Sequence, residues 1–182
     1  MRRKFLCFLA AFMLPTVGVS QERVQIAPRY VDALRATGVD VSLRNEGART
    51  GLDIVVQIQD FIAAVPSLQA RNLLNPDITR TEAQRRLFSL AWVYAQECSG
   101  MLLEPLYNDN PRLSALTVRL LVSFPDHYGN LKRELLCSFD FDRRLFEKIN
   151  WKNFEAPSLS RIAPNYQTTP FLRQKFAAER SY

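Results

Sequence analysis

The segment Thr81–Glu97 constrains this chain most, because an inward-facing row can be traced through it residue by residue. Ala83, Leu87, Ala91, Tyr94 and Cys98 recur at spacings of four, four, three and four, the period of one face of an α-helix. Thr79, with Glu82 three positions later, supplies a capping box ahead of the row. Such a helix must lay its apolar stripe on another element, so the rest of the chain has to provide that surface. With 182 residues there is room for one domain of ordinary size. Apolar residues at 47% against 23% charged are enough for a core.

The neighbouring segments read mostly as further helices. Pro28 suits the first position of a short helix over Tyr30–Thr37, which Gly38 would end. Asn110 and Pro111 read as cap and first residue of a helix over Arg112–Ser123, carrying Leu113, Leu116, Leu120 and Leu121 until Pro125 stops it. Asp126 can cap a helix running through Leu136, and Asp140 another through Ile149. Two readings compete over the stretch between Val39 and Ala64. Val39–Leu43 alternates, as do Leu52, Ile54, Val56 and Ile58, which allows a small hairpin across Asn45–Gly51. Ile54, Ile58, Phe61, Ile62 and Val65 also share a helical stripe, and Ala63 and Ala64 favour helix, so a helix over Leu52–Ala64 is preferred. The expected fold is mainly α: a small antiparallel helical bundle over residues 21–155, with at most one short β-hairpin near residues 39–59.

The first twenty residues have a separate logic. Arg2, Arg3 and Lys4 precede an apolar run from Phe5 to Leu14, then Pro15 and small residues ending at Ser20. That is the three-part pattern of a secretory signal peptide cleaved near Ser20. Ten helical residues reach about 15 Å, half of a hydrocarbon core of about 30 Å, so the run is too short to anchor the chain. Arg2-Arg3-Lys4-Phe5-Leu6 also resembles a twin-arginine signal, but the strongly apolar run fits the ordinary unfolded export route. No later segment offers a membrane span. With 19 Arg to 5 Lys and no Asn-x-Ser/Thr acceptor, a bacterial periplasmic or secreted location is the expectation.

Cleavage would leave Cys98 and Cys137 in an oxidising compartment. Cys98 continues the inward row, whereas on a helix that turns Tyr128, Leu131 and Leu135 inward, Cys137 falls on the polar side. An exposed thiol there would oxidise, so a Cys98–Cys137 disulfide is the simpler expectation, with two unpaired structural cysteines as the alternative. By loop-closure entropy such a bridge is worth about 4 kcal/mol.

The formal charge of +6 suggests nucleic acid at first sight. Its distribution does not. Arg2, Arg3 and Lys4 account for half of it, and residues 21–155 hold 17 basic and 17 acidic side chains. The remainder lies in residues 156–182, a stretch rich in Pro and Ser as far as Thr169, which can cap a short terminal helix over Pro170–Glu179. Its Tyr166, Phe171, Phe176 and Tyr182, interspersed with the basic Arg173, Lys175 and Arg180, are too apolar for a solvated linker. They either pack on their own domain or form a candidate partner-binding tail.

Catalytic chemistry finds little support. His127 is the only histidine, which removes multi-histidine metal sites. It lies beside Asp126 at an expected helix start, and no Gly-x-Ser-x-Gly elbow accompanies it. Gly47 and Gly51 are not followed by Lys-Ser/Thr, so no phosphate loop is present and no cofactor is expected. Asn108-Asp109-Asn110 and Asp140-Phe141-Asp142 lack the Gly and Glu of a calcium loop and read as turn and cap residues. Glu97-Cys98-Ser99-Gly100, at the expected end of the long helix, faintly resembles the catalytic Glu-Ser of lytic transglycosylases. That resemblance would make Glu97 a general acid on peptidoglycan, although Met101-Leu102-Leu103-Glu104 stands where the family carries Gly-Leu-Met-Gln. The leading expectation is an exported, non-enzymatic helical protein that contacts an envelope protein partner. A glycan-cleaving enzyme using Glu97 and a small-ligand carrier with an apolar helical cavity are the alternatives.

Overall fold

The structure, a computed structural model, describes residues 24–46, 49–64, 80–126, 128–170 and 172. In chain order the elements are α1 (Pro28–Arg35), β1 (Val39–Glu46), β2 (Arg49–Gln57), α2 (Ile58–Ala64), α3 (Arg80–Asp109), β3 (Ala115–Pro125) and β4 (Leu131–Asp142). They are followed by α4 (Arg143–Lys148), two 3₁₀ turns (Trp151–Asn153 and Ala156–Ser158), α5 (Leu159–Ile162) and β5 (Gln167–Thr168). Five strands form one mixed sheet in the order β1-β2-β3-β4-β5. The expected mainly-α bundle is therefore overturned. The chain is an α/β protein with a sheet at its centre.

The reason is visible in β3. A helix over Arg112–Ser123 would gather Leu113, Leu116 and Leu120 but turn the β-branched Val118 and Val122 away from them. As a strand, the segment buries Leu116, Val118, Leu120 and Val122 together on one face and leaves Thr117, Arg119 and Leu121 half-buried on the other. The same choice is made in β2. Leu52, Ile54 and Val56 are fully buried, and β1 pairs antiparallel with β2 from Val39↔Val56 to Glu46↔Arg49. The hairpin replaces the preferred helix over Leu52–Ala64, of which only α2 remains.

β2 and β3 run parallel, from Thr50↔Leu116 to Gln57↔Ser123. Parallel neighbours require a crossover, and here the connection includes α2 and α3. α3 lies on β2 and β3. Its Ala91, Ala95, Leu102, Leu103 and Leu106 share one core with Leu52, Ile54, Val56, Val118 and Leu120. Each fully buried Leu or Ile of this kind contributes about 1.5–3 kcal/mol. Gly38 lets α1 and β1 reach this layer: its φ is +76°, and a Cβ there would run into the Phe61 backbone nitrogen of α2.

α3 continues well past the expected end at Glu97 and is closed by distant residues. Arg143 donates from Nε to the Leu113 carbonyl at 3.0 Å and from Nη2 to the Asn110 and Tyr107 carbonyls at 2.9 and 3.2 Å. The Tyr107 ring stacks on Phe146, and its hydroxyl donates to the Phe141 carbonyl at 2.6 Å. The helix-start expectations at Asp126 and Asp140 also change. Asp142, not Asp140, caps α4 by accepting from Leu145 N at 2.7 Å. Residues 156–168 join the same body: Ala156, Leu159 and Ala163 are buried, and β5 pairs with β4. The expected leader (residues 1–20), Thr79 and His127 lie outside the described residues.

Candidate functional site

β3 and β4 form a long antiparallel pair from Ala115↔Asp142 to Pro125↔Leu131. Asp126, expected to cap a helix, instead closes the turn between them. Its Oδ1 accepts from Tyr128 N at 2.8 Å and from Asn130 N at 3.0 Å, and Gly129 takes a φ of +85°. A carboxylate two residues before a free N–H serves a turn as readily as a helix start.

The register shifts at Leu120/Leu121: Leu120 faces Cys137, yet Leu121 faces Leu135. The bulge places an extra residue, Leu136, in β4, and Leu136 and Cys137 are both buried although adjacent. Before the bulge the facing of β4 is reversed. Leu131, Arg133 and Leu135 share a face with Pro125, Ser123 and Leu121, while Lys132 and Glu134 share the other with Phe124 and Val122. Residues 131–135 are all exposed.

Among the described residues, β4 is paired on its outer side only by β5, at Cys137↔Thr168 and Ser138↔Gln167. Thr169 N adds a bond to the Leu136 carbonyl at 3.1 Å. Pro170 comes next, has no N–H, and already has helical conformation. β5 therefore stops where it would have begun to cover Leu135. Leu131–Leu135 has β3 on one side and no strand on the other among the described residues. The side chains make the edge unusual: Leu131 is 70% exposed and Leu135 42%, and Tyr128 in the adjoining turn is 78% exposed. These are the three residues the helical reading turned inward. Open edges are normally blunted by charge, Pro or brevity; this one carries Lys132, Arg133 and Glu134, yet sets exposed leucines on both sides of them, and exposed apolar side chains grouped at an edge mark a docking surface.

The sequence-selected cysteines lie elsewhere and do not form a disulfide. Both are free and buried. Cys98 sits in the α3 core face, where burial pushes its thiol up to about 12. Cys137 points inward from β4 beside the Tyr166 hydroxyl and the Trp92 indole, and burial pushes it up to about 11. The pairing expectation failed because it placed Cys137 on a helix with its thiol in water. In the α3 core face and the sheet respectively, both thiols are shielded, protonated and unreactive. Tyr166 is half-buried: it stacks on Phe139 with centroids 5.6 Å apart, and its hydroxyl accepts from Gln96 Nε2 at 3.0 Å. Phe171, Arg173, Lys175, Phe176 and Arg180 lie outside the described residues. Glu97 is exposed midway along α3 rather than at a helix end beside a cleft.

The sheet face opposite α3 carries a polar network. Asp53 on β2 is held between Arg44 and Arg119. Asp140 accepts from Thr117 Oγ1 at 3.1 Å and Asn165 Nδ2 at 2.7 Å. These carboxylates are occupied with structural partners. Among the described residues no cluster of three or more His, Cys, Asp or Glu could hold a metal, and no helix is long and apolar enough to cross a membrane. Sequence reading missed the β4 edge because Tyr128, Leu131 and Leu135 have helical spacing. The signal that could have found it is Lys132-Arg133-Glu134, a charged run flanked by leucines and followed by the alternating Cys137, Phe139 and Phe141. No family model matches the chain, and no curated protein or solved structure resembles it significantly.

Proposed function

We propose that this protein is an exported, non-enzymatic interaction domain of the cell envelope and that the open β4 edge is its docking surface. The observation that carries this reading is the exposure of Leu131 and Leu135 on β4, and of Tyr128 in the turn before it, beside a strand side that no other strand pairs among the described residues. Such an edge recruits an extended segment by main-chain hydrogen bonds, while alternate side chains select the partner. The leader pattern of residues 1–20 supports export, and the mature chain would begin at Gln21.

Photo-crosslinking from the envelope of the producing cell tests this reading. A crosslinker at position 128 or 135 is expected to give discrete protein adducts, and one at Arg161, exposed on α5, is expected to give none. Leu131→Asp with Leu135→Asp should abolish the adduct from position 128. Equal adducts from all three positions, or none from the edge, would overturn the docking surface. Recovery of unprocessed chain from the cytoplasm alone would remove the envelope from the proposal.

A further inference from the structure

We infer that the β4 edge pairs with the same edge of a second copy, in one register centred on Arg133, to join two sheets into one. This rests on the edge being a docking surface and adds the identity of the partner. In a two-fold antiparallel pairing that continues a sheet, each side chain must meet one on its own face, because strand facing has a period of two. The axis must therefore pass through a residue position, and Lys132, Arg133 and Glu134 are the centres whose two neighbours both lie within the exposed Leu131–Leu135.

Centred on Lys132, the pairing sets Leu131 against Arg133 and Lys132 against itself. Centred on Glu134, it sets Arg133 against Leu135, Lys132 against the inward-pointing Leu136, and Glu134 against itself. Centred on Arg133, it sets Leu131 against Leu135 twice and Lys132 against Glu134 twice. Leu-Lys-Arg-Glu-Leu is thus self-complementary in the one register where apolar meets apolar and cation meets anion. The two leucine pairs lie on the face of Leu121, and the two ion pairs lie on the face of Val122. The unfavourable element is Arg133 meeting its own copy on the axis, where both side chains are exposed and can diverge into water. Pro170 serves the same arrangement, because it ends β5 before that strand could occupy the edge.

Sedimentation of the protein purified from the envelope, over a range of concentrations, tests the inference. The expected result is a reversible dimer. Glu134→Lys should weaken it at least about tenfold by turning both ion pairs into repulsions. Lys132→Glu combined with Glu134→Lys should restore it, and Arg133→Thr should tighten it. All three positions are exposed, and unchanged circular dichroism would confirm that the variants fold. Amide exchange across residues 131–135 should slow with concentration in the native chain and not in Glu134→Lys. A monomer at every concentration, or a charge swap that fails to rescue, would overturn self-pairing. If edge crosslinks to a different protein persist in that case, the docking surface stands and only the second copy is wrong. If both are absent, both readings fall.

Discussion

The Arg119 guanidinium grips Asp53 across β2 and β3 with two hydrogen bonds, Nη2 to Oδ2 at 2.6 Å and Nε to Oδ1 at 2.8 Å. Arg44 adds a third from β1, Nε to Oδ1 at 2.7 Å. Three neighbouring strands are thus tied on one face by one carboxylate whose side chain is 10% exposed.

Burial raises the Asp53 carboxyl, but the hydrogen bonds from Arg119 and Arg44 outweigh it and hold the group below its ordinary value of 3.8. A carboxylate with a depressed folded value stabilises fully above its unfolded value, and the contribution fades as pH falls through the folded one. Asp53→Asn should cost about 3 kcal/mol near neutral pH, because two arginines lose their partner. Urea unfolding of both forms should show this gap narrowing below pH 3.8. A gap independent of pH would show that the charge is not what matters there.

The two buried thiols should not react with a thiol reagent in the folded protein near neutral pH. Both should react once the chain is unfolded without reductant, since Cys98 and Cys137 are free. With folded values of about 12 and about 11, the thiolate is negligible at that pH. Mass measurement of the alkylated protein under non-reducing, denaturing conditions checks it. A product lacking both adducts would restore the disulfide.

Gly100 in the middle of α3 allows Ala156 to lie directly on the helix, since a Cβ at position 100 would stand 2.9 Å from the Ala156 Cβ. Gly100→Ala should therefore destabilise by about 1–2 kcal/mol although alanine favours helix, because overpacking exceeds the propensity gain. Pairing it with Ala156→Gly should recover most of the loss. Thermal melts of the two singles and the double would reveal the coupling.

Arg143 satisfies the last carbonyls around the end of α3 from a different element, so its removal should do more than delete a surface charge. Arg143→Ala is expected to cost about 2–3 kcal/mol. Arg143→Lys should recover less than half of this, because an ammonium presents its donors from one nitrogen and cannot span the positions reached by Nε and Nη2. Equal stability of the Lys form and the native chain in denaturant titration would argue against the forked geometry.

The locally determined features were readable. Pro28 starts α1 and Gly38 follows its end, and the helical row leading to Cys98 lies within α3. Each depends on backbone conformation or on a period within one segment. The candidate edge was not readable, because Tyr128, Leu131 and Leu135 keep helical spacing and their exposure depends on where β5 stops.

The sequence by itself determined which segments are apolar, where Pro28 and Gly38 bound the first helix, and the net charge of each region. Only the tertiary structure decided that Leu52–Gln57, Leu116–Val122 and Leu136–Phe141 are strands. A strand leaves its N–H and C=O groups to be satisfied by a neighbour, so its stability lies in pairings between residues as distant as Thr50 and Leu116. A helix satisfies its own. For apolar runs that fit either period, the availability of those distant partners selects the conformation. The same availability, ended at Pro170, leaves Leu131–Leu135 without a second strand among the described residues.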